Sequence, residues 1–122
     1  LALQNLIINA IRYNVKNGEV RVRIEALPDR PYVQVTVEDT GIGVPDKDLP
    51  RVFNKFFRSE NAIRAETTGS GLGLYITRNI IKRHGGDIII KSVEKRGTTV
   101  TFVLPTDESL IPPAEVPARE TL

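Results

Sequence analysis

The sequence predicts an α+β fold, a two-layer α/β sandwich with three helices on one face of a mainly antiparallel mixed sheet. Three observations carry that expectation. Apolar and polar residues alternate in four short stretches, as strands with one buried face require. Elsewhere apolar residues recur at helical steps, so that each long helix has a single apolar stripe. A stripe of that kind covers one face of a sheet and leaves the opposite face to solvent or a partner.

The elements follow in order. Leu3, Leu6, Ile7, Ala10 and Ile11 predict an amphipathic helix over about residues 2–15, stopping near Asn17-Gly18. Val20, Val22 and Ile24 alternate with Arg21, Arg23 and Glu25, and Val33, Val35 and Val37 alternate with Gln34, Thr36 and Glu38. With the turn "LPDRP" between them, these are two half-buried antiparallel strands. "DKDLPRVFNKFF" is expected as a short second helix, and "RSENAIRAETTGS" as a polar, mobile loop. A third helix is predicted from Gly71 to about His84, with Leu72, Ile76 and Ile80 as its stripe and Gly85-Gly86 as its stop. Residues 87–94 and 98–104 read as a hairpin around "EKRG", with Ile88 and Ile90 facing Val100, Phe102 and Leu104. The domain therefore spans 1–105, and 106–122, rich in proline and charge, reads as a poorly ordered tail.

Composition narrows the chemistry. A chain of 122 residues with 40% hydrophobic content suits one domain with one core. No cysteine is present, which excludes disulfides and thiol chemistry, and a single histidine argues against a His/Cys metal site. A formal charge of +2 gives no case for nucleic acid. No apolar run is long enough to span a bilayer, and no signal-peptide pattern is present. The start "LALQNLIINA", without Met or a leading turn, reads as a segment of a longer protein that begins inside a helix.

Two glycine clusters stand apart in the chain, "DTGIGVP" at 39–45 and "GSGLGL" at 69–74. Asp39 closes a strand and is followed at once by Gly41 and Gly43, which gives a fixed acceptor beside backbone that a planar ligand can approach. Adenine suits that place, because its exocyclic amine donates to a carboxylate where guanine would set an oxygen against it. An ordinary turn with an aspartate cap accounts for the same residues. "GSGLGL" opens the third helix, where unpaired amides and the helix dipole favour phosphate and Gly69, Gly71 and Gly73 admit its oxygens. A flexible joint between loop and helix is the other account. The cluster is neither a dinucleotide fingerprint, since no strand directly precedes it, nor a Walker loop, since no Lys-Ser/Thr follows. Asn5 and Asn9 share one helix face, with Arg12 and Tyr13 the next turn along. Neutral amide oxygens suit Mg²⁺ that is already bound to phosphates; a solvated polar face explains them equally.

Taken in order, "NLIINAIRYN", "DTGIGVP", "FNKFFR" and "GSGLGL" resemble the N, G1, F and G2 boxes of the catalytic ATP-binding domain of bacterial sensor histidine kinases, and "RHGGDIII" and "GTTVTFVLP" resemble its closing helix and hairpin. The resemblance implies the Bergerat fold shared with gyrase-type ATPases, with ATP between the helical layer and a lid over about 46–70. It makes Asn9 the principal Mg²⁺ ligand with Asn5 assisting, Arg12 a phosphate contact, Tyr13 a neighbour of adenine and Asp39 the acceptor of its amine. Gly41, Gly43, Gly69, Gly71, Leu72, Gly73 and Leu74 complete the nucleotide site, Thr99 matches a position near adenine, and Arg58 matches a basic residue near the terminal phosphate. Phe53, Phe56 and Phe57 would anchor the lid, and His84 is expected as a helix cap and not as a phosphoacceptor.

The implied activity is transfer of the ATP γ-phosphoryl group to a histidine on a separate dimerisation hairpin, so Asn5, Asn9 and Arg58 are the catalytic candidates. That hairpin and the family's first strand are not in this sequence, so the segment alone is not expected to phosphorylate itself. Partners implied are ATP, the phosphoacceptor hairpin of the same parent and a response regulator, with no nucleic acid and no membrane contact by this segment. The implied location is the cytoplasm, whether or not the parent is anchored in the inner membrane. The alternatives are a gyrase-type ATPase module and a non-catalytic nucleotide-sensing domain. Gyrase-type relatives carry a glutamate as base where this chain has Asn5, a poor base.

Overall fold

In the computed structural model, which describes residues 2–59, 62 and 73–113, the first helix α1 (Ala2–Arg12) turns Leu6 and Ala10 onto the sheet. It ends short of the expected residue 15 because Asn14 redirects the backbone. The Asn14 Oδ1 accepts from the Val15 amide at 2.8 Å and its Nδ2 donates to the Glu19 carbonyl at 2.9 Å, a side-chain competition that helices do not survive easily. Asn17, with φ of 64°, then makes the turn into the sheet.

The strands are β1 (Val20–Ala26), β2 (Tyr32–Asp39), β3 (Asp87–Val93) and β4 (Gly97–Pro105), in the spatial order β1-β2-β4-β3. Among the described residues every pairing is antiparallel, so the expected mixed character of the sheet is not found. Register puts the inward residues opposite one another: Val35 with Phe102, Val37 with Val100, and Ile88 and Ile90 with Phe102 and Val100. β1, expected to be half buried, is instead an edge strand and is exposed along residues 21–26, with Val22 at 41% and Ile24 at 63%. The closing hairpin therefore pairs as its alternation predicts. Leu6, Ala10, Val35, Val37, Ile81, Ile88, Val100 and Phe102 form the core. Each large aliphatic side chain among them contributes roughly 1.5–3 kcal/mol by leaving water.

Among the described residues two α-helices have bounds where three were expected, and the stretch expected as the second is not one of them. The "DKDLPRVFNKFF" stretch forms only a 3-10 turn, Leu49–Arg51, followed by tight turns in which the Asn54 amide bonds the Arg51 carbonyl and the Phe57 amide bonds the Asn54 carbonyl. Pro50 withholds an amide hydrogen, and Phe56 at φ 64° cannot continue a right-handed helix. The second helix, α2 (Gly73–Arg83), buries Thr77 and Ile81 to 0% and 1% exposure, while Ile76, expected on the inward stripe, stays 36% exposed. The inward face runs along Gly73, Thr77 and Ile81, and at Gly73 α2 comes close to α1. A Cβ at Gly73 would lie 3.3 Å from the Asn9 amide nitrogen.

α2 stops in a Schellman turn: the Gly86 amide bonds the Ile81 carbonyl, the Gly85 amide bonds the Lys82 carbonyl, and Gly85 takes φ of 82°. His84 caps the end, its Nδ1 lying 2.7 Å from the Ile80 carbonyl. After β4 the chain keeps a described conformation to residue 113: the Thr106 amide bonds the Pro31 carbonyl, and Asp107 caps a 3-10 turn, Glu108–Leu110. The rest of the expected tail, 114–122, lies outside the described residues.

Candidate functional site

A cavity of about 460 Å³ opens between α1, the ends of β2 and β4, and the start of α2. It gathers Asn5, Asn9, Arg12 and Tyr13 with Asp39 and Gly43, with Arg58, and with Gly73 and Leu74. Stretches far apart in sequence thus meet on one surface, with apolar side chains such as Leu6, Val37, Ile42, Ile76 and Ile90 forming the walls. Such a space, mostly apolar with a few placed polar groups, is built for a flat heterocycle carrying a charged tail.

Asp39 marks one end. It pairs with Thr98 across β2 and β4, so the Thr98 amide reaches its Oδ1 at 3.2 Å, and the Gly41 amide reaches the same oxygen at 2.8 Å. No donor among the described residues bonds Oδ2, which is the atom left for a ligand. Burial raises the carboxyl above its ordinary pKa, the Gly41 and Thr98 amides oppose that, and the neighbouring Glu38 charge adds to it. The group therefore keeps an acceptor ready in a partly desolvated place, where a hydrogen bond counts for more than it does in water.

The loop after Asp39 is clamped from both sides. The Ile42 amide bonds the Tyr13 carbonyl at 3.0 Å, the Lys95 amide bonds the Ile42 carbonyl at 2.7 Å, and the Val44 amide bonds the Ser92 hydroxyl at 2.7 Å. Its glycines serve this clamp: a Cβ on Gly41 would overlap the Tyr13 carbonyl, and one on Gly43, at φ 70°, would overlap the Val93 carbonyl. Gly41 does not line the cavity. Chain-to-chain approach therefore requires both glycines, while Gly43 also lines the cavity, where the sequence reading placed a ligand.

The other end of the cavity holds Asn5 and Asn9 on α1, facing the start of α2. An α-helix of 11 residues begins there with its first amides unpaired by the helix itself, beside two carboxamides. An anionic group bound there would meet donors, and a cation carried by that anion would meet neutral amide oxygens. Arg12 is exposed at the rim. The Arg58 guanidinium donates to the Tyr13 hydroxyl at 3.4 Å and to the Ala62 carbonyl at 3.2 Å. Gly69, Gly71 and Leu72 lie outside the described residues, as do residues 60, 61 and 63–70 of the expected lid.

Two expectations change. Thr99 does not line the cavity; Thr98 does. Strand alternation decides it, since Thr98 shares the inward face with Val100 and Phe102, and Thr99 points to the opposite face. Phe56 is 63% exposed, not the buried anchor expected, and Lys55 lies over its ring at 5.3 Å. Phe53 packs against the core, and Phe57 lines the cavity under Arg51, 4.9 Å away. Ser92 and Asn14, which shape the site from behind, were missed. Ser92 had a readable signal, a hydroxyl at an inward position after Ile88 and Ile90.

Residues 1–108 match the family described as histidine kinase-, DNA gyrase B- and HSP90-like ATPase. The chain is similar to the sensor histidine kinase WalK of Bacillus subtilis, 41% identical over 106 residues, covering 87% of this chain and 17% of that protein. It is 40% identical over 100 residues to the phosphate regulon sensor protein PhoR of Pseudomonas aeruginosa, covering 82% of this chain and 22% of that protein. It therefore spans about a fifth of the length of these relatives. Among solved structures, the mycobacterial sensor histidine kinase MprB superposes with a TM-score of 0.76 at 32% identity, over 85% of this chain and 69% of that one. Full-length ShkA in complex with AMPPNP does so at 0.69 and 29%, over 85% of this chain and 20% of that one. The gathered asparagines, the carboxylate between two strands and a match over residues 1–108 agree: the chain belongs to the histidine kinase-, DNA gyrase B- and HSP90-like ATPases.

Proposed function

We propose that this segment is the ATP-binding catalytic domain of a sensor histidine kinase and delivers the γ-phosphoryl group of ATP to a histidine on a separate dimerisation hairpin. One observation supports this most: a single cavity has an acceptor-only carboxylate at one end and a helix N-terminus flanked by Asn5 and Asn9 at the other. Asp39 Oδ2 takes the adenine amine, and the walls around Val37, Ile42 and Ile90 exclude water from the ring. Asn9 and Asn5 hold the phosphate end, where Mg²⁺ bound to the phosphates neutralises their charge; Arg12 and Arg58 add positive charge. Phosphoryl transfer asks the protein for position and charge more than for covalent chemistry, and among the described residues the lining of the phosphate end holds asparagines and no carboxylate. Asn5 stands at the position that a base would occupy in a hydrolytic relative, and its carboxamide does not accept a proton from water.

The parent is read as a two-component protein that passes the phosphoryl group on to a response regulator. No helix among the described residues is long and apolar enough to cross a membrane. The test is to mix the chain with a phosphoacceptor hairpin and γ-labelled ATP. Label on histidine supports the proposal, release of free phosphate indicates an ATPase module, and binding without either indicates a nucleotide sensor.

A further inference from the structure

We infer that Ser92 is a positioning residue for base selectivity, because its hydroxyl fixes the Thr98 hydroxyl as an acceptor toward the cavity; this holds on the reading that Asp39 seats adenine. A serine hydroxyl has one hydrogen and two lone pairs. The Ser92 hydrogen is given to the Gly97 carbonyl at 2.9 Å, and one lone pair takes the Val44 amide at 2.7 Å. Thr98 Oγ1 lies 2.8 Å from the same Ser92 oxygen. With the serine's only hydrogen committed, the hydrogen of that contact has to come from Thr98.

Thr98 lines the cavity, and its hydrogen is drawn back into the hairpin. What it can offer a ligand is its lone pairs. It faces Asp39 across the β2–β4 register, and Asp39 Oδ1 already holds the Thr98 amide. Asp39 and Thr98 both line the cavity, so Asp39 Oδ2 and the Thr98 lone pairs offer it acceptors, which suit an amine and oppose a carbonyl oxygen. Ser92 touches neither ligand edge. It sits in register behind Thr98 on β3 and sets which way that hydroxyl turns.

The test compares ATP with inosine triphosphate, which carries an oxygen in place of the 6-amino group and adds nothing at position 2. Affinities for both are measured by calorimetry on the 122-residue chain, unaltered and as Ser92→Ala, Ser92→Thr and Thr98→Val. In Ser92→Ala the Thr98 hydroxyl is released to donate, and the ATP-to-ITP affinity ratio should fall about 3- to 10-fold, the range of one neutral hydrogen bond. Ser92→Thr, which keeps the hydroxyl, should restore the ratio. Thr98→Val removes the acceptor and its bond to Ser92 but leaves Ser92 held by Val44 and Gly97, so the ratio should fall there too. A ratio unchanged in Ser92→Ala would overturn the role of Ser92, whatever Thr98→Val does, and leave the adenine reading standing. No ATP preference in the unaltered chain would overturn both.

Discussion

Replacing Asp39 by asparagine separates what this residue does for the fold from what it does for a ligand. Asparagine keeps an oxygen at Oδ1 for the Gly41 amide at 2.8 Å and the Thr98 amide at 3.2 Å, so the loop remains built. Its other atom becomes a donor, and the adenine amine then meets a donor where it met a charged acceptor. Loss of one hydrogen bond to a charged group costs about 1.5–3 kcal/mol, equivalent to ATP binding roughly 10- to 150-fold weaker.

Stability should move the other way. Burial raises the Asp39 pKa above its ordinary 3.8, so the folded chain binds this proton more readily than the unfolded chain does. The resulting stabilisation is whole below the unfolded pKa and is lost as pH rises through the folded one. The substituted asparagine does not titrate, so the melting temperature of Asp39→Asn relative to the unaltered chain should rise between acid and neutral pH. Calorimetry with Mg-ATP and thermal melts at the two pH values measure both effects. Unchanged ATP affinity in a variant that still folds would remove Asp39 from the adenine seat; a variant that loses ATP and melts far earlier would make its role structural.

At the phosphate end, Asn9→Ala should weaken Mg-ATP binding by an order of magnitude or more, on the scale of about 1.5–3 kcal/mol for a charge-assisted contact, and leave adenosine affinity nearly unchanged. Parallel titrations decide it, and equal loss for both ligands would mean local misfolding. Gly43→Ala forces a side chain into φ 70° and onto the Val93 carbonyl, so the melt should show at least the cost of left-handed backbone, roughly 1–2 kcal/mol. A melt unchanged from that of the unaltered chain would show that the clamp between this loop and the β3–β4 turn gives way freely.

Much of the fold was legible because β2, β3 and β4 each have one face more buried than the other, while β1, at the edge, alternates without being buried. Period-two alternation in 33–37 and 98–104 fixes which residues point inward, and the register follows once Val37, Val100 and Ile90 are aligned. The same parity carried the information that Thr98, not Thr99, faces the cavity, since Val100 and Phe102 lie two and four positions on. The α2 stripe was harder to place. Leu72, Ile76 and Ile80 are the larger residues, but helix-to-helix approach is decided by the small ones, and Gly73 and Thr77 took the close face. The short helix after Asp46 failed for a local reason, a proline at its start and a left-handed Phe56 near its end. The end of α1 turned on Asn14, whose bonds to Val15 and Glu19 depend on where β1 returns.

The two ends of the cavity differ in how the chain builds them. At the Asp39 end, backbone bonds from Tyr13, Lys95, Gly41 and Thr98 and side-chain bonds from Ser92 hold the loop with no ligand needed. The β1–β2, β2–β4 and β3–β4 pairings all converge there, so its geometry is set by the most extensively paired part of the fold. A base that docks there meets a surface already ordered and gives up little affinity to ordering it. Selectivity for the base can therefore reside in a few fixed lone pairs. The phosphate end has another construction: Asn5 and Asn9 reach it from one helix and Gly73 from another, and the two helices meet closely where Gly73 lies against Asn9. Position there depends on how α1 and α2 lie against each other. A small residue at the Gly73 contact should consequently matter more for phosphate than for base, because widening that contact moves Asn9 while leaving Asp39 where the sheet holds it.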